Sequence, residues 1–347
     1  MRRFGRTLVT AAVAVAVVAG TAGWASGDSQ RAVTGPPPGA AAWRADTVSG
    51  HSLPDPARAT PREVARFFAG LDEAARRELL RRHPLVVGNL DGAPLALRYE
   101  ANRIAAAATG EARYASLAAP ERRILVFDPR GRGQVAEVFG DLERAAYVSV
   151  IVPGSDNDAT SYDARRKPNT GPAGMARSLR AATGEATAVV AWTGYTTPVG
   201  VGLDAADGRL AKAGATRLHR FTAGLDAVGA PDPVLFCHSY GSVVCGLAAR
   251  DTDATDLVVF GSPGMRADTA AGLHTGARVW AARGPSDWIA DVPNVEVAGI
   301  GHGSDPTSPA FGARRVPAAD VRGHTGYFAP GTGSLAAFAA IATGDSR

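Results

Sequence analysis

Hydrophobic positions along this chain follow two periods in turn. Between residues 60 and 117 they recur at helical spacing: Val64, Phe67, Phe68 and Leu71, then Leu79, Leu80 and Ile104, set among charged residues. Thr60-Pro61-Arg62-Glu63 reads as a helix start with proline in the first turn, and Asp72-Glu73 followed by Arg76-Arg77 adds charge pairs one turn apart. From Glu121 onward the pattern becomes short apolar runs. Residues 124–127 and 135–139 predict a hairpin turned by Asp128-Pro129-Arg130-Gly131. Further strands are predicted at 147–152, 188–192, 234–236, 257–260, 278–281 and 295–300, with helices at 174–182, 209–228, 241–250 and 334–342. An antiparallel start followed by alternating strands and helices predicts an α/β fold: a mostly parallel central sheet covered by helices on both faces.

The first sixty residues read differently. A positive start, with Arg2, Arg3 and Arg6, is followed by an uncharged stretch, 7–27, rich in Ala and Val. Residues 1–25 are expected to be a signal peptide or an uncleaved membrane anchor, which makes the protein secreted or envelope-associated. Sec and twin-arginine export both remain open. Residues 26–59, with Gly35-Pro36-Pro37-Pro38, read as a flexible linker. Residues 60–117 are then a helical appendage, and 118–347 the α/β domain. The net charge of +4 includes the three leader arginines, so the rest carries 4 − 3 = +1. The sequence holds no basic run with interleaved aromatics, which excludes a nucleic-acid footprint.

Chemistry concentrates in Pro233-Val234-Leu235-Phe236-Cys237-His238-Ser239-Tyr240-Gly241-Ser242-Val243. A buried strand turns sharply at Ser239 and enters a small-residue helix, the context in which a serine hydroxyl is held out as a nucleophile. The pattern is C-x-S-x-G, with cysteine where a glycine is usual. A serine hydroxyl needs an adjacent base, and the base needs an acid to orient it. Asp287, in the loop after the strand at 278–281, is the candidate acid, and a helix cap is its plain structural role. Asp291 and Asp305 are fallbacks. Two histidines follow, His302 and His324, and the residues alone leave both open as the base. His238 adjoins the serine and is expected to point elsewhere.

The backbone N–H groups of Ser155 and Tyr240 are the expected oxyanion donors, because Gly154 permits close approach after the strand at 147–152. No cofactor is implied and metal-ligand spacing is absent. Cys237 and Cys245 read as two small buried thiols rather than a disulfide, and Trp192, Trp288, Tyr240 and Tyr327 as core rather than as the lining of an acyl pocket.

Residues from about 120 to 345 resemble an α/β-hydrolase branch found mainly in actinobacteria. The resemblance rests on Val152-Pro153-Gly154, on Cys237-His238-Ser239-Tyr240-Gly241-Ser242 and on His302-Gly303-Ser304-Asp305-Pro306. It also takes in Phe311-Gly312-Ala313-Arg314 and Gly323-His324-Thr325-Gly326-Tyr327. It implies an α/β-hydrolase fold with Ser239, Asp287 and His324 as nucleophile, acid and base, His324 being favoured by the H-x-x-Y pattern it forms with Tyr327. The expected activity is hydrolysis of a small-molecule or lipid-like ester. Acyl transfer by the same residues, or a non-catalytic binding module on the same scaffold, are the alternatives.

Overall fold

The structure, a computed structural model, describes residues 29–164 and 168–346; the expected leader at 1–25 lies outside them. Eight strands form the central sheet: β1 (Ile124–Asp128), β2 (Gln134–Phe139), β3 (Tyr147–Val152), β4 (Thr187–Thr193), β5 (Val234–His238), β6 (Asp256–Phe260), β7 (Arg278–Ala282) and β8 (Arg314–Arg315). Their spatial order is β1-β2-β4-β3-β5-β6-β7-β8. β1 and β2 form the expected hairpin, β2 also runs antiparallel to β4, and every pairing from β4 to β8 is parallel. The strands from β3 to β6 are buried almost throughout, which is why they read as unbroken apolar runs.

Side-chain alternation along β5 feeds two separate layers of core. Leu235 and Cys237 join the layer built with Arg209–Ala227 and Gly241–Ala248, through Leu218, Phe221 and Val244. Phe236 joins the opposite layer with Pro172–Thr183 and Gly333–Ala342, through Leu179 and Phe338. This is an α/β-hydrolase fold, as the resemblance implied.

Two parts of the sheet depart from expectation. Residues 295–300 are not a sheet strand. They form a two-residue hairpin, Glu296–Val297 with Ile300–Gly301, turned through Ala298 and Gly299 at positive φ. Its apolar residues face solvent, so apolar content there did not mean burial. The last strand is instead β8, two arginines paired to Trp280 and Ala281 at the sheet edge.

The helical segment carries Pro61–Ala69, Glu73–Arg82, Pro84–Asn89 and Leu95–Ala108, packed on a cluster that includes Val64, Phe68, Leu79 and Val87. Thr60 caps the first helix in a reciprocal box with Glu63. The expected flexible linker is ordered over its described part. Trp43, in the short helix Ala40–Ala45, is fully buried in the same cluster and donates to the Pro54 carbonyl at 2.8 Å. One large aromatic ring buries enough surface to outweigh the Gly/Pro-rich composition around it.

Candidate active site

The site lies at the C-terminal ends of the parallel strands, where open α/β sheets bind ligands. Ser239 follows β5 directly and adopts φ 53°. That left-handed corner reverses the chain at once into Gly241–Ala248. Gly241 is required there: a Cβ would lie 2.3 Å from the Val152 carbonyl oxygen. The corner is tied by Ser239 N–H to the Phe260 carbonyl at 3.0 Å, and by Ser242 Oγ, 2.6 Å from the Ser239 carbonyl and 2.6 Å from Ser262 Oγ. The Ser239 hydroxyl itself makes no hydrogen bond among the described residues, and the side chain is partly exposed.

The same reversal corrects the expectation for the cysteines. Cys237 and Cys245 form a disulfide with Cα atoms 6.4 Å apart. Cys237 faces the helix, and Cys245 lies one turn after Gly241 on the helix side that faces the sheet. The sharp turn brings together two residues whose separation along the chain had suggested otherwise.

Asp287 and His324 meet from two different loops. His324 Nδ1 lies 2.7 Å from Asp287 Oδ1, while Tyr327 donates its hydroxyl to Oδ2 at 2.5 Å. Asp287 also caps the short helix Trp288–Asp291 by accepting from Ile289 N–H at 3.0 Å, so its structural role and its contact with histidine coexist. Burial pushes this carboxyl up, but the hydrogen bonds from His324, Tyr327 and the Ile289 amide outweigh it and hold the group below the usual carboxylate range. His324 Nε2 has no partner among the described residues. No hydrogen bond joins it to Ser239, a looseness common before substrate binds.

His238 points away from the Ser239 hydroxyl, as expected, but it has a task the sequence did not reveal. Its Nε2 donates to the His324 carbonyl at 2.7 Å, fixing the backbone that presents the imidazole. Trp288 covers the other side of His324, with ring centroids 4.6 Å apart, and is 43% exposed. The expectation of core therefore fails for Trp288, whereas Trp192, Tyr240 and Tyr327 are buried. Tyr327 was flagged through the H-x-x-Y spacing and as a core aromatic, and its carboxylate partner could not be read from the chain.

The loop after β3 lies directly over the serine. A Cβ on Gly154 would fall 2.6 Å from Ser239 Cβ and 3.0 Å from the Tyr240 amide nitrogen. Tyr195 donates to the Pro153 carbonyl at 2.7 Å, and Asn157 Nδ2 to the Ser155 carbonyl at 2.8 Å, which turns the loop carbonyls toward protein donors. The Ser155 and Tyr240 N–H groups donate to no other group among the described residues.

His302 is built differently. Its Nε2 donates to the Ala205 carbonyl at 2.7 Å, its Nδ1 is buried without a partner, and its ring meets the Tyr240 ring edge-on. Asp305 is paired with Arg283 at 2.6 Å. Burial pushes the His302 pKa down to about 4, opposed by its bond to Ala205 and by Asp207 and reinforced by the neighbouring Arg266. Burial and the adjacent His324 push His238 down to about 3. The unfolded chain takes up these protons near pH 6.5, before the folded one does, so stability falls on acidification from about 6.5 toward those values. Each histidine contributes a slope of at most about 1.4 kcal/mol per pH unit. Urea midpoints between pH 7 and pH 4.5 are expected to fall less steeply in His302→Gln than in the wild-type chain. Identical slopes would remove His302 from this account.

Residues 128–297 match a family model described as alpha/beta hydrolase. Two curated relatives, uncharacterised proteins from two strains of Mycobacterium tuberculosis, are each 26% identical over 376 aligned residues, covering 84% of this chain. This chain spans 57% of the length of those relatives. Among solved structures, a lidless α/β serine hydrolase from Xanthomonas campestris is 17% identical, with a TM-score of 0.39, over 63% of this chain and 94% of that one. The esterase PE8 is 16% identical, with a TM-score of 0.37, over 59% of this chain and 95% of its own. By the match over residues 128–297 and by its sheet, this chain has the α/β-hydrolase fold.

Proposed function

We propose that this chain is an exported serine esterase working through Ser239, His324 and Asp287. The observation that carries the reading is a serine with a free hydroxyl at a left-handed corner, next in the chain to His238, whose ring lies 4.6 Å from that of a histidine already held by a buried aspartate. Ser239 Oγ attacks the ester carbonyl carbon as its proton passes to His324 Nε2. Asp287 keeps the Nδ1 proton in place and stabilises the imidazolium. The Ser155 and Tyr240 N–H groups receive the oxyanion. Collapse expels the alcohol, which takes the proton from His324, and water then repeats the sequence to release the acid. Export is supported by the uncharged stretch 7–27 behind three arginines, and by a disulfide, which persists in oxidising compartments.

Labelling with a fluorophosphonate tests the nucleophile and the base together. The wild-type chain is expected to label, Ser239→Ala not at all, and His324→Ala at least about a hundredfold more slowly. Labelling that survives loss of His324 but not of His302 would move the base to His302. A folded wild-type chain that resists the probe would overturn the reading.

A further inference from the structure

Large apolar side chains exposed among the described residues are not scattered. All but one lie on two connections, Val199, Val201 and Leu203 after β4, and Trp288, Val295, Val297 and Ile300 after β7. The exception, Tyr147, is at the opposite end of the sheet, where β3 begins. β4 and β7 each lie two strands from β5, on its opposite sides, so these loops stand on either side of Ser239 and at the same C-terminal edge. They also join each other. Asp207 bridges Ile300, His302 donates to the Ala205 carbonyl, and Tyr240, next to the serine, donates its hydroxyl to the Asp207 carbonyl at 2.9 Å. The first loop is fixed to the oxyanion loop through Asp156, whose N–H donates to Pro198 and whose carboxylate accepts from Gly200 N–H. Leu203 is 65% exposed and Val297 66%, although the polar residues at the loop bases are paired: Arg209 with Asp204, Arg266 with Glu296. An exposed apolar rim over paired charges is a surface built to meet something apolar.

The path of the chain says what that is. Gln30 is clamped onto the first loop: its N–H donates to Asp204 at 2.7 Å, its side chain accepts from Val199 N–H at 2.8 Å, and its carbonyl accepts from Arg209 at 3.0 Å. The uncharged, Ala/Val-rich stretch 7–27 ends three residues earlier. The described chain therefore begins on the rim loop, and the uncharged stretch 7–27 comes directly before it in the sequence.

We infer that the rim is a lipid-docking face, which sets the Ser239 site against a membrane surface so that an acyl ester carried in that surface is its substrate. This rests on the esterase reading above and adds the substrate class to it. Apolar contact of the rim with the acyl region of the membrane orients the site.

The full chain is assayed on p-nitrophenyl palmitate in phosphatidylcholine vesicles and on p-nitrophenyl acetate in buffer, beside Leu203→Gln/Val297→Gln and Ser239→Ala. Both rim residues are exposed, and an unchanged thermal midpoint verifies folding. The double variant is expected to lower the ratio of vesicle to soluble turnover at least tenfold. An unchanged ratio overturns the proposal. So does a dimer that the variant splits without changing the ratio, which makes the rim an interface between copies. A rise in acetate turnover without loss on vesicles also overturns it, and means that residues 7–27 cover the rim. Soluble turnover retained by Ser239→Ala would instead sink the esterase reading itself.

Discussion

Replacing Ser239 by glycine is expected to abolish ester hydrolysis and to make the protein more stable. Activity should fall by at least about 10⁴-fold, because the nucleophile is gone and only the oxyanion donors and substrate binding remain. Stability should rise because Ser239 is held at φ 53°, a left-handed conformation that costs a residue with a Cβ about 1–2 kcal/mol. Glycine removes that cost, and its greater freedom in the unfolded chain returns about 0.4–1 kcal/mol, so the net gain centres on about 0.8 kcal/mol within a span of about 0–1.6 kcal/mol. Ser239→Ala is the control: it keeps the strain and loses the hydroxyl, so it should be equally inactive without the gain. Urea unfolding of the two variants at pH 7 decides the matter. A glycine variant no more stable than the alanine variant would mean that the corner is not strained.

The second large effect lies far from the serine. Asp91 is fully buried between the helical segment and the helix Arg209–Ala227. It accepts from Arg98 at 3.1 Å and from Arg217, with Arg220 at 3.6 Å. Burial pushes the carboxyl up, and the three guanidinium groups outweigh it, holding the group ionised below the usual range. Contact is close: a Cβ on Gly224 would meet Asp91 Cβ at 2.7 Å. Asp91→Ala leaves Arg98, also fully buried, without its counter-charge, and breaking one side of a buried pair typically costs about 3–5 kcal/mol. A loss of that size in urea unfolding is expected, with Asp91→Asn recovering part of it. A loss under about 1 kcal/mol would mean that the cluster is hydrated and does not hold the segment in place.

Much of this was legible in the chain because burial on both faces of a parallel strand leaves an unbroken apolar run. β3, β4, β5 and β6 were read for that reason, and the elbow at Ser239 followed from where β5 ends and a small-residue helix begins. The candidate acid was readable from its loop. What escaped was set by contacts between distant segments. β8 is two arginines held only by edge pairing, so it has no hydrophobic signal, while 295–300 has the signal and lies exposed. Trp43 ordered a stretch whose composition suggested a linker.

By itself, then, the sequence determined the order of the strands from β1 to β7 and of the main helices between them, the serine corner, and a short set of acids and histidines able to serve it. Local pattern carries that much because hydrophobic period and turn chemistry act between near neighbours. Only the tertiary structure decided that Asp287 meets His324, 37 residues away, that Tyr327 and His238 hold that pair, and that Cys237 reaches Cys245. It also gathered the exposed apolar residues of two separate loops on either side of Ser239. Such pairings depend on which strand ends lie side by side, and no periodicity along one chain encodes that.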